Sequence, residues 1–237
     1  MRLDSYLVEN GYFESRNRAL EAIKSGKVFV DGNVVKPSLK YNDSMKLEVA
    51  NEKFYVSRAG RKLEVFLEEY PLVVQRKKVL DVGSSTGGFA QILLENDVSS
   101  LVCVDVGRDQ LHYSLRERDN LKLYEETDIR DFRDEGGFDL VTCDVSFISL
   151  LEIIDYIDRL AKKDIVLLYK PQFEVGKNAK RDSKGVVQDR DAIRYNMQKF
   201  EDKAKEFGWR QQHKVSSKIK GKEGNEEYFY HFTKDDL

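Results

Sequence analysis

The sequence contains few of the residues that form disulfides or interrupt secondary structure. Among its 237 residues are two cysteines, Cys103 and Cys143, and three prolines, Pro37, Pro71 and Pro171. Both cysteines lie in apolar stretches typical of strands, so we expect inert core residues rather than a disulfide framework. With so little proline, helices and strands can run without interruption. A disulfide-rich secreted scaffold is therefore excluded.

Long hydrophobic segments are also missing. The longest apolar runs, such as Ile165–Tyr169, are far shorter than the roughly 20 residues that span a bilayer. The segment Met1–Tyr6 has no apolar core of the kind found in signal peptides. We therefore expect a cytoplasmic protein that does not insert stably into a membrane.

Charge is abundant but unevenly distributed around a net value of −2. Residues 1–62 hold 12 lysines and arginines against 8 acidic residues, and residues 170–222 hold 15 against 7. The remainder of the chain therefore carries a net charge of −14. Basic character at both ends of an acidic middle is typical of a protein that holds a polyanion. Ordinary solvated, lysine-rich helix surface is the alternative interpretation.

The first fifty residues have the pattern of a small separate unit. Apolar spacing predicts a short helix near the start of the chain and a second helix over residues 14–23, with Ser15 as its N-cap. Gly26 is expected to end that helix. The following segment, Lys27–Val35, predicts two short strands around the turn Asp31–Gly32.

From residue 77 onward the pattern alternates between strands and helices, after an amphipathic helix predicted over Ser57–Tyr70. Strands are predicted at 77–82, 101–106, 121–125, 138–144, 164–170, 209–216 and 227–232. Helices fall between most of the earlier strands, and another is predicted at about 189–207. The alternation is typical of an α/β fold with a mostly parallel sheet and helices on both faces.

A glycine-rich turn interrupts the segment VLDVGSSTGGFAQILLEN, residues 79–96, between an apolar strand and an apolar helix. Gly83, Gly87 and Gly88 remove side chains there, so that a ligand could approach the backbone. The spacing is not the G-x-G-x-x-G of dinucleotide-binding turns, and no P-loop ending follows. Asp105, 22 residues after Gly83, could accept hydrogen bonds from the ribose of NAD or of S-adenosylmethionine (SAM). A plain connecting turn is the third possibility.

Two lysines and two carboxylates lie at positions where this fold would bring them together. Lys62 lies on the helix before the sheet, Asp144 and Lys170 end two predicted strands, and Glu227 begins the last one. Carboxyl ends of parallel strands face one crevice. Burial and a nearby second lysine both favour a neutral amine, which can act as a general base, and Lys170 follows five apolar residues. Structural ion pairs at strand ends are the alternative.

Several motifs in order resemble the TlyA family, haemolysin-named proteins that are ribosomal RNA 2′-O-methyltransferases. The segment RLDSYLVENGYFESRNRALEAIKSGKVFVDGNVVKPS is similar to the αL RNA-binding fold of the S-four type. The resemblance covers nearly the full length, and the family's successive blocks are matched by SRAGRKLE, DVGSSTGGF, VDVGRDQLHYSLR, CDVSFISL, LYKPQFE, KGVVQDR and GNEEYF.

This resemblance implies a Rossmann-like, SAM-dependent methyltransferase sheet with a small N-terminal αL RNA-binding domain. The expected boundaries are 1–50 for the RNA-binding domain, 51–60 for a linker and 61–237 for an FtsJ-like methyltransferase domain. The FtsJ-like catalytic set Lys-Asp-Lys-Glu would fall on Lys62, Asp144, Lys170 and Glu227, with Glu226 as the alternative for the last. SAM would be held by Asp81, Gly83, Ser84, Ser85, Thr86, Gly87, Gly88, Phe89, Asp105, Val106, Asp128, Ile129 and Asp144. RNA would be held by Arg2, Arg16, Arg18, Lys24 and Lys27.

The implied activity is transfer of a methyl group from SAM to a ribose 2′-hydroxyl, with Lys170 as the base and no metal. The substrate would be a cytidine of large-subunit ribosomal RNA, because the chain starts directly at the first helix as in the shorter subtype; small-subunit RNA stays open. The partner would be a ribosomal subunit, and the oligomeric state is unknown.

Three other functions remain to be weighed. A membrane-active haemolysin needs an apolar span or a strongly amphipathic surface helix, and the sequence has neither. A non-catalytic RNA-binding protein is disfavoured by the complete Lys-Asp-Lys-Glu set. An NAD-dependent oxidoreductase is disfavoured by the glycine spacing.

Overall fold

The structure is a computed structural model that describes residues 1–10, 12, 13, 15–42, 44–50, 53 and 55–234. Part of the expected linker (51, 52 and 54) and the expected first residue of the second helix, 14, lie outside the described residues. The chain divides into two compact units, Met1–Phe54 and Tyr55–Leu237.

The N-terminal unit packs two helices against a small antiparallel sheet. Its elements are α1 (Leu3–Glu9), α2 (Arg16–Lys24), β1 (Val28–Val30), β2 (Asn33–Val34) and β3 (Leu47–Val49). The strand order is β2-β1-β3. The strand β3 was not predicted, because three residues are too few to show an alternating pattern.

Local sequence signals explain where these short elements begin and turn. The Ser15 hydroxyl accepts a hydrogen bond from the Arg18 amide at 3.3 Å, which confirms the predicted N-cap. Asp31 and Gly32 have φ angles of 52° and 76°. Positive φ at both central residues is the hairpin geometry that Asp-Gly favours, and this confirms the predicted hairpin. Leu3, Leu7 and Ile23 are buried in the core of the unit.

The second unit is an α/β sandwich around one sheet, as predicted. Its elements are α3 (Arg58–Glu69), β4 (Lys78–Val82), α4 (Gly88–Glu95), β5 (Ser100–Val104), α5 (Tyr113–Arg116), β6 (Leu121–Tyr124), β7 (Phe138–Cys143), a 3-10 turn (Leu150–Glu152), α6 (Ile154–Leu160), β8 (Ala161–Tyr169), α7 (Pro171–Glu174), α8 (Arg190–Glu206), β9 (Arg210–Ser216) and β10 (Tyr228–Thr233).

The sheet has the strand order β6-β5-β4-β7-β8-β10-β9. The five strands from β6 to β8 pair in parallel, whereas β10 pairs antiparallel with both β8 and β9. Apolar side chains fill both faces of this sheet: α6 and α8 contribute to one core, and α3 and α4 to the other. Strands buried on both faces read as continuous apolar runs, which is why the sequence revealed them so clearly.

Chain order reverses at β4, because β5 and β6 lie on one side of it and β7 and β8 on the other. In an open α/β sheet, ligands bind beyond the carboxyl ends of the strands at such a reversal. The glycine-rich turn lies there, with φ angles of 76° at Gly83 and 46° at Ser85. The topology therefore assigns the candidate site to the edge of the sheet where β4 and β7 end.

Candidate active site

A cavity of about 340 Å³ opens at the carboxyl ends of β4, β5 and β7. This volume lies within the range of small-molecule sites. Seven of the thirteen residues predicted to hold a cofactor line it: Gly83, Ser85, Asp105, Val106, Asp128, Ile129 and Asp144. The wall also includes Ser146 and Phe147, which follow β7. The structure therefore brings together residues from four separate predicted strand ends.

The other six predicted cofactor residues do not line this cavity, within the part of the chain that the structure describes: Asp81, Ser84, Thr86, Gly87, Gly88 and Phe89. A Cβ on Gly88 would lie 2.2 Å from the Ser57 Oγ, and a Cβ on Gly87 would lie 2.5 Å from Leu115. Packing against α3 therefore requires a glycine at Gly88, and the φ of 93° favours one at Gly87. Any contact that these six residues make with a cofactor remains a prediction.

Two carboxylates on the cavity wall are held in place by backbone and side-chain donors. The Asp105 carboxylate accepts hydrogen bonds from the Ser85 and Gly107 amides, both at 2.7 Å. The Asp128 carboxylate accepts two from the Arg130 guanidinium, at 2.9 and 2.6 Å. The Arg130 guanidinium lowers the pKa of Asp128. Each carboxylate has further lone pairs, so both can accept hydrogen bonds from the hydroxyls or the base of a nucleoside.

A third carboxylate, Asp81, lies entirely inside the protein beneath the glycine-rich turn. Its Oδ1 accepts a hydrogen bond from the Thr142 hydroxyl at 2.7 Å. Burial, aided by the negative charges of Asp144 and Asp105, raises the pKa of Asp81 to about 7, against a usual value of 3.8. The folded protein therefore retains a proton on Asp81 over a pH range in which the unfolded chain has lost it.

Because of Asp81, the free energy of unfolding should fall as the pH rises. A raised pKa in the folded state contributes stability below the unfolded value of 3.8, and that contribution is lost as the pH rises to about 7. Three pH units correspond to about 4 kcal/mol. Asp81→Asn, which stays neutral and keeps a carbonyl acceptor for Thr142, should remove this fall. Urea unfolding between pH 4 and 8 measures the effect, with the exposed Asp119→Asn as control. Parallel curves for Asp81→Asn and the unmodified protein would contradict the assignment.

Two buried ion pairs lie beside the cavity. The Lys170 Nζ is 2.7 Å from the Asp144 Oδ1, and the Lys62 Nζ is 2.6 Å from the Glu227 Oε2. Both lysines and Glu227 are less than a tenth exposed. Burial raises the pKa of Asp144, and the positive charges of Lys170 and Lys62 oppose that rise. The four residues predicted to be catalytic therefore share one electrostatic environment, although they are widely separated in sequence.

The structure distinguishes between the two adjacent glutamates. Glu227 is 2% exposed and pairs with Lys62, and its second oxygen accepts a hydrogen bond from the Gln172 Nε2 at 3.0 Å. Glu226 points away on the exposed side and accepts a hydrogen bond from the Ser216 hydroxyl. Both glutamates precede β10, and Glu227 is the one that meets Lys62.

Three side chains that join the site were missed in the sequence. The Lys170 ammonium donates to the Ser146 hydroxyl at 3.0 Å, and Gln172 supports Glu227. Glu174 accepts hydrogen bonds from the Ser149 hydroxyl and the Leu150 amide, at 2.5 and 2.9 Å. All three lie in the motifs CDVSFISL and LYKPQFE, so their position beside Asp144 and Lys170 was the one signal that could have revealed them.

In the N-terminal unit, two of the predicted RNA-binding arginines are held by one acid. Asp4 is fully buried and lies 2.9 Å from the Arg2 guanidinium and 2.8 Å from that of Arg16. The hydrogen bond from Arg2, assisted by Arg16, lowers the pKa of Asp4 to about 2. Both arginines keep more than half of their side-chain surface exposed. Their outer N–H groups therefore remain available for phosphate oxygens.

The other three predicted RNA-binding residues are all on or just after α2. Arg18 lies 3.8 Å from Glu21, Lys24 is exposed in the last turn of the helix, and Lys27 is partly buried. All five basic residues thus belong to the same compact unit. Their contact with RNA remains a prediction.

Comparison with known proteins identifies the family. The model of FtsJ-like methyltransferases matches residues 55–234, and that of the S4 domain matches residues 1–46. The chain is 46% identical to the 23S rRNA (cytidine-2'-O)-methyltransferase TlyA of Campylobacter jejuni, over 99% of this chain and 100% of that protein. The chain belongs to the TlyA family of FtsJ-like methyltransferases. This confirms the predicted family and the predicted α/β fold with an N-terminal S4 domain.

Other relatives also match this chain over nearly its whole length. The 16S/23S rRNA (cytidine-2'-O)-methyltransferase TlyA of Mycobacterium tuberculosis is 39% identical, over 96% of this chain and 88% of that protein. Among solved structures, a hemolysin-named protein from Streptococcus thermophilus is 32% identical with a TM-score of 0.73, and the match covers 100% of this chain and 89% of that one. Both names of the family, the enzymatic and the haemolytic one, therefore occur among the relatives.

Proposed function

We propose that this protein is a SAM-dependent ribosomal RNA 2′-O-methyltransferase whose target is the ribose of a cytidine in large-subunit RNA. The observation that carries the proposal is the pair of buried ion pairs, Lys170–Asp144 and Lys62–Glu227, beside a nucleoside-sized cavity. Buried ionisable groups with a specific charge partner beside a cavity are typical of catalytic sites. The curated names of two full-length relatives supply the RNA substrate and the nucleoside.

The residues of the cavity fit SAM. Asp105 and Asp128 present fixed carboxylates for hydroxyl and amine donors, and Val106 and Ile129 present apolar surface to a base. The Asp144 carboxylate would complement a positive charge. Gly83 also lines the cavity, and a Cβ there would lie 2.9 Å from Val145, so that a glycine is needed at this point of the wall. SAM, when bound, supplies an electrophilic methyl group on a sulfonium sulfur.

Each of the four charged residues has its own role in removing the proton from the 2′-hydroxyl. Lys170 would act as the base that takes the proton from the ribose 2′-hydroxyl, which would make the 2′-oxygen nucleophilic. Asp144, 2.7 Å away, orients the amine and stabilises the ammonium that forms. Lys62 lies where its charge acts on the same carboxyl and can hold the 2′-oxygen. Glu227 fixes Lys62 in that position through the 2.6 Å ion pair.

An exposed aromatic ring beside the site supports a nucleoside substrate. Phe147 lines the cavity, is 91% exposed and has a φ of 67°. A phenylalanine with a positive φ is uncommon, and such strained residues cluster at functional sites. Phe173 supports the ring at a centroid distance of 5.0 Å. Stacking on such rings is how proteins hold bases that have left a helix.

RNA binding by the N-terminal unit should depend strongly on salt. Lysines that neutralise phosphates release counterions, so affinity falls linearly on a log–log plot against salt concentration. Replacing Lys24 and Lys27 with glutamine should reduce that slope by about 1.4 to 1.8. Filter binding of ribosomal RNA at four salt concentrations measures it. Lys162→Gln with Lys163→Gln at the start of β8 makes the same change in net charge, and an equal loss of slope there would count against the proposed surface.

A membrane-active haemolysin is the second candidate, because relatives carry that name. No helix in the described part of the chain has both the length and the apolar character that crossing a bilayer requires. The family name is therefore the single observation in its favour. Release of dye from phospholipid vesicles by the purified protein would be the result that revives it.

Methyl transfer onto ribosomal subunits tests the proposed function directly. Purified protein, tritiated SAM and large subunits from a strain that lacks the modification should give labelled RNA with one 2′-O-methylated cytidine. Small subunits and protein-free RNA, assayed in parallel, define the substrate. Label in protein or on a base nitrogen, or no label above that of Lys170→Ala, would contradict the proposal.

A further inference from the structure

We infer that Ser146 is a positioning residue whose hydroxyl fixes the rotation of the Lys170 amine and so aims its lone pair at the substrate. The inference rests on the proposed function. It starts from the contact of 3.0 Å between the Lys170 Nζ and the Ser146 Oγ, on a residue that also lines the cavity. Ser146 lies outside the Lys-Asp-Lys-Glu set.

The geometry of an amine explains why one carboxylate is insufficient. A neutral primary amine has two N–H bonds and one lone pair, and it rotates freely about its bond to carbon. If Asp144 accepts one N–H, two staggered directions remain for the lone pair. When Ser146 accepts the second N–H, one direction is left, and the lone pair must occupy it. The Ser146 hydroxyl accepts a hydrogen bond from the nitrogen at 3.0 Å, and the Asp144 Oδ1 lies 2.7 Å from the nitrogen as its ion-pair partner; together the two contacts restrict where the base points.

The same contact becomes stronger as the reaction proceeds. When the 2′-hydroxyl proton arrives, the nitrogen becomes an ammonium with three N–H groups, held by Asp144, by Ser146 and by the substrate oxygen. A hydrogen bond from a charged donor is roughly twice as strong as one from a neutral donor. Interactions that strengthen in the transition state accelerate the chemical step rather than binding. Ser146 should therefore affect the rate of transfer and leave SAM affinity nearly unchanged.

The backbone around Ser146 is held so that the hydroxyl stays in place. Two residues before it, Asp144 donates its amide to the Val82 carbonyl at 3.1 Å. Beyond it, Glu174 anchors Ser149 and Leu150, and Phe173 supports Phe147. Phe173 and Glu174 belong to α7, the helix that begins immediately after Lys170. The segment that carries the base thus also holds the loop that carries Ser146.

Ser146→Ala should lower the single-turnover rate of methyl transfer by roughly tenfold, as expected for the loss of one hydrogen bond to a charged group. The acid limb of the pH–rate profile should move to lower pH, because the ammonium loses an acceptor and the neutral amine loses less. Ser146→Thr retains the hydroxyl and should restore most of the rate. Ser99→Ala is the control for the loss of a hydroxyl, because Ser99 directly precedes β5, at the amino end of the strand.

Two further measurements separate this inference from the proposed function. Calorimetric titration should give a SAM dissociation constant for Ser146→Ala close to that of the unmodified protein; a loss of affinity equal to the loss of rate would overturn the inference. Acetylation of Lys170 by acetic anhydride, followed by peptide mass spectrometry across pH, needs no RNA substrate. Its pH dependence should shift in Ser146→Ala in the same direction as the rate profile.

The outcomes differ for the two claims. If the unmodified protein methylates no ribosomal RNA, the proposed function falls, while the acetylation profile still decides the contact between Ser146 and Lys170. If the unmodified protein is active but Ser146→Ala matches it in rate, pH profile and acetylation, the role of Ser146 is wrong and the proposed function stands.

Discussion

Replacing Lys170 with alanine is expected to reduce methyl transfer by about a hundred- to ten-thousandfold, the contribution of general-base catalysis. The amine contacts both Asp144 and Ser146, at 2.7 and 3.0 Å. Without it, the site loses the amine that takes the 2′-hydroxyl proton in the proposed mechanism. The measurement is single-turnover transfer of tritiated methyl groups to large subunits. SAM affinity, measured by calorimetry, should remain nearly intact.

Two variants control this experiment. Lys170→Arg keeps a positive charge beside Asp144 but cannot act as a base, since arginine is always protonated in proteins; it should be as inactive as the alanine variant. Lys163→Ala removes an exposed lysine near the amino end of β8, the strand that Lys170 follows, and should leave transfer unchanged. Turnover of Lys170→Ala within tenfold of the unmodified protein would show that another group is the base.

Replacing Lys62 with methionine should reduce the free energy of unfolding by roughly 3–5 kcal/mol. Lys62 and Glu227 are both less than a tenth exposed, so the variant leaves a carboxylate inside the protein without its cation. Gln172 supplies one remaining hydrogen bond to that carboxylate, which does not replace a full charge. Urea unfolding at pH 7 measures the loss. Methyl transfer should fall as well, because the charge of Lys62 acts on the Asp144 carboxyl that pairs with the proposed base.

A second substitution separates stability from chemistry. The double variant Lys62→Met with Glu227→Leu replaces the pair with apolar side chains, which is often neutral or stabilising for buried pairs. It should recover most of the lost stability and none of the activity. The exposed pair Lys203–Glu206 on α8 is the matched control, and Lys203→Met should have little effect. A Lys62→Met variant as stable as the unmodified protein would mean that the pair is solvated.

The types of the secondary-structure elements could be predicted from the sequence because burial leaves a local pattern. The parallel strands β4, β7 and β8 appear as apolar runs, and α8 has helical periodicity with Asp189 capping its first turn. Local patterns were weaker at the ends of elements. β5 stops at Val104, two residues before the predicted end, and β8 begins at Ala161, three residues before its predicted start. Asp105 and Val106, which follow the end of β5, both line the cavity.

The order of strands could not be predicted in the same way. β10 lies between β8 and β9 and is antiparallel to both. An apolar run indicates that a strand is buried, but it does not indicate its neighbours or its direction. This insertion places the start of β10, and with it Glu227, beside the end of β8, where Tyr228 pairs with Tyr169. The approach of Glu227 to the residues after β8 is thus a consequence of sheet order.

The amino-acid sequence by itself determined the two-unit plan, the α/β alternation, the glycine-rich turn and the identity of the charged residues, because each depends on neighbours within a few positions. Tertiary structure alone decided that Lys62 meets Glu227, which lies 165 residues away, that Glu226 faces outward, and that Ser146 contacts Lys170. It also showed that a Cβ on Gly88 would lie 2.7 Å from the Gly60 amide nitrogen, so that the packing of α4 requires a glycine there. Contacts between distant segments depend on the order and direction of the strands that carry them, and no local pattern records that order.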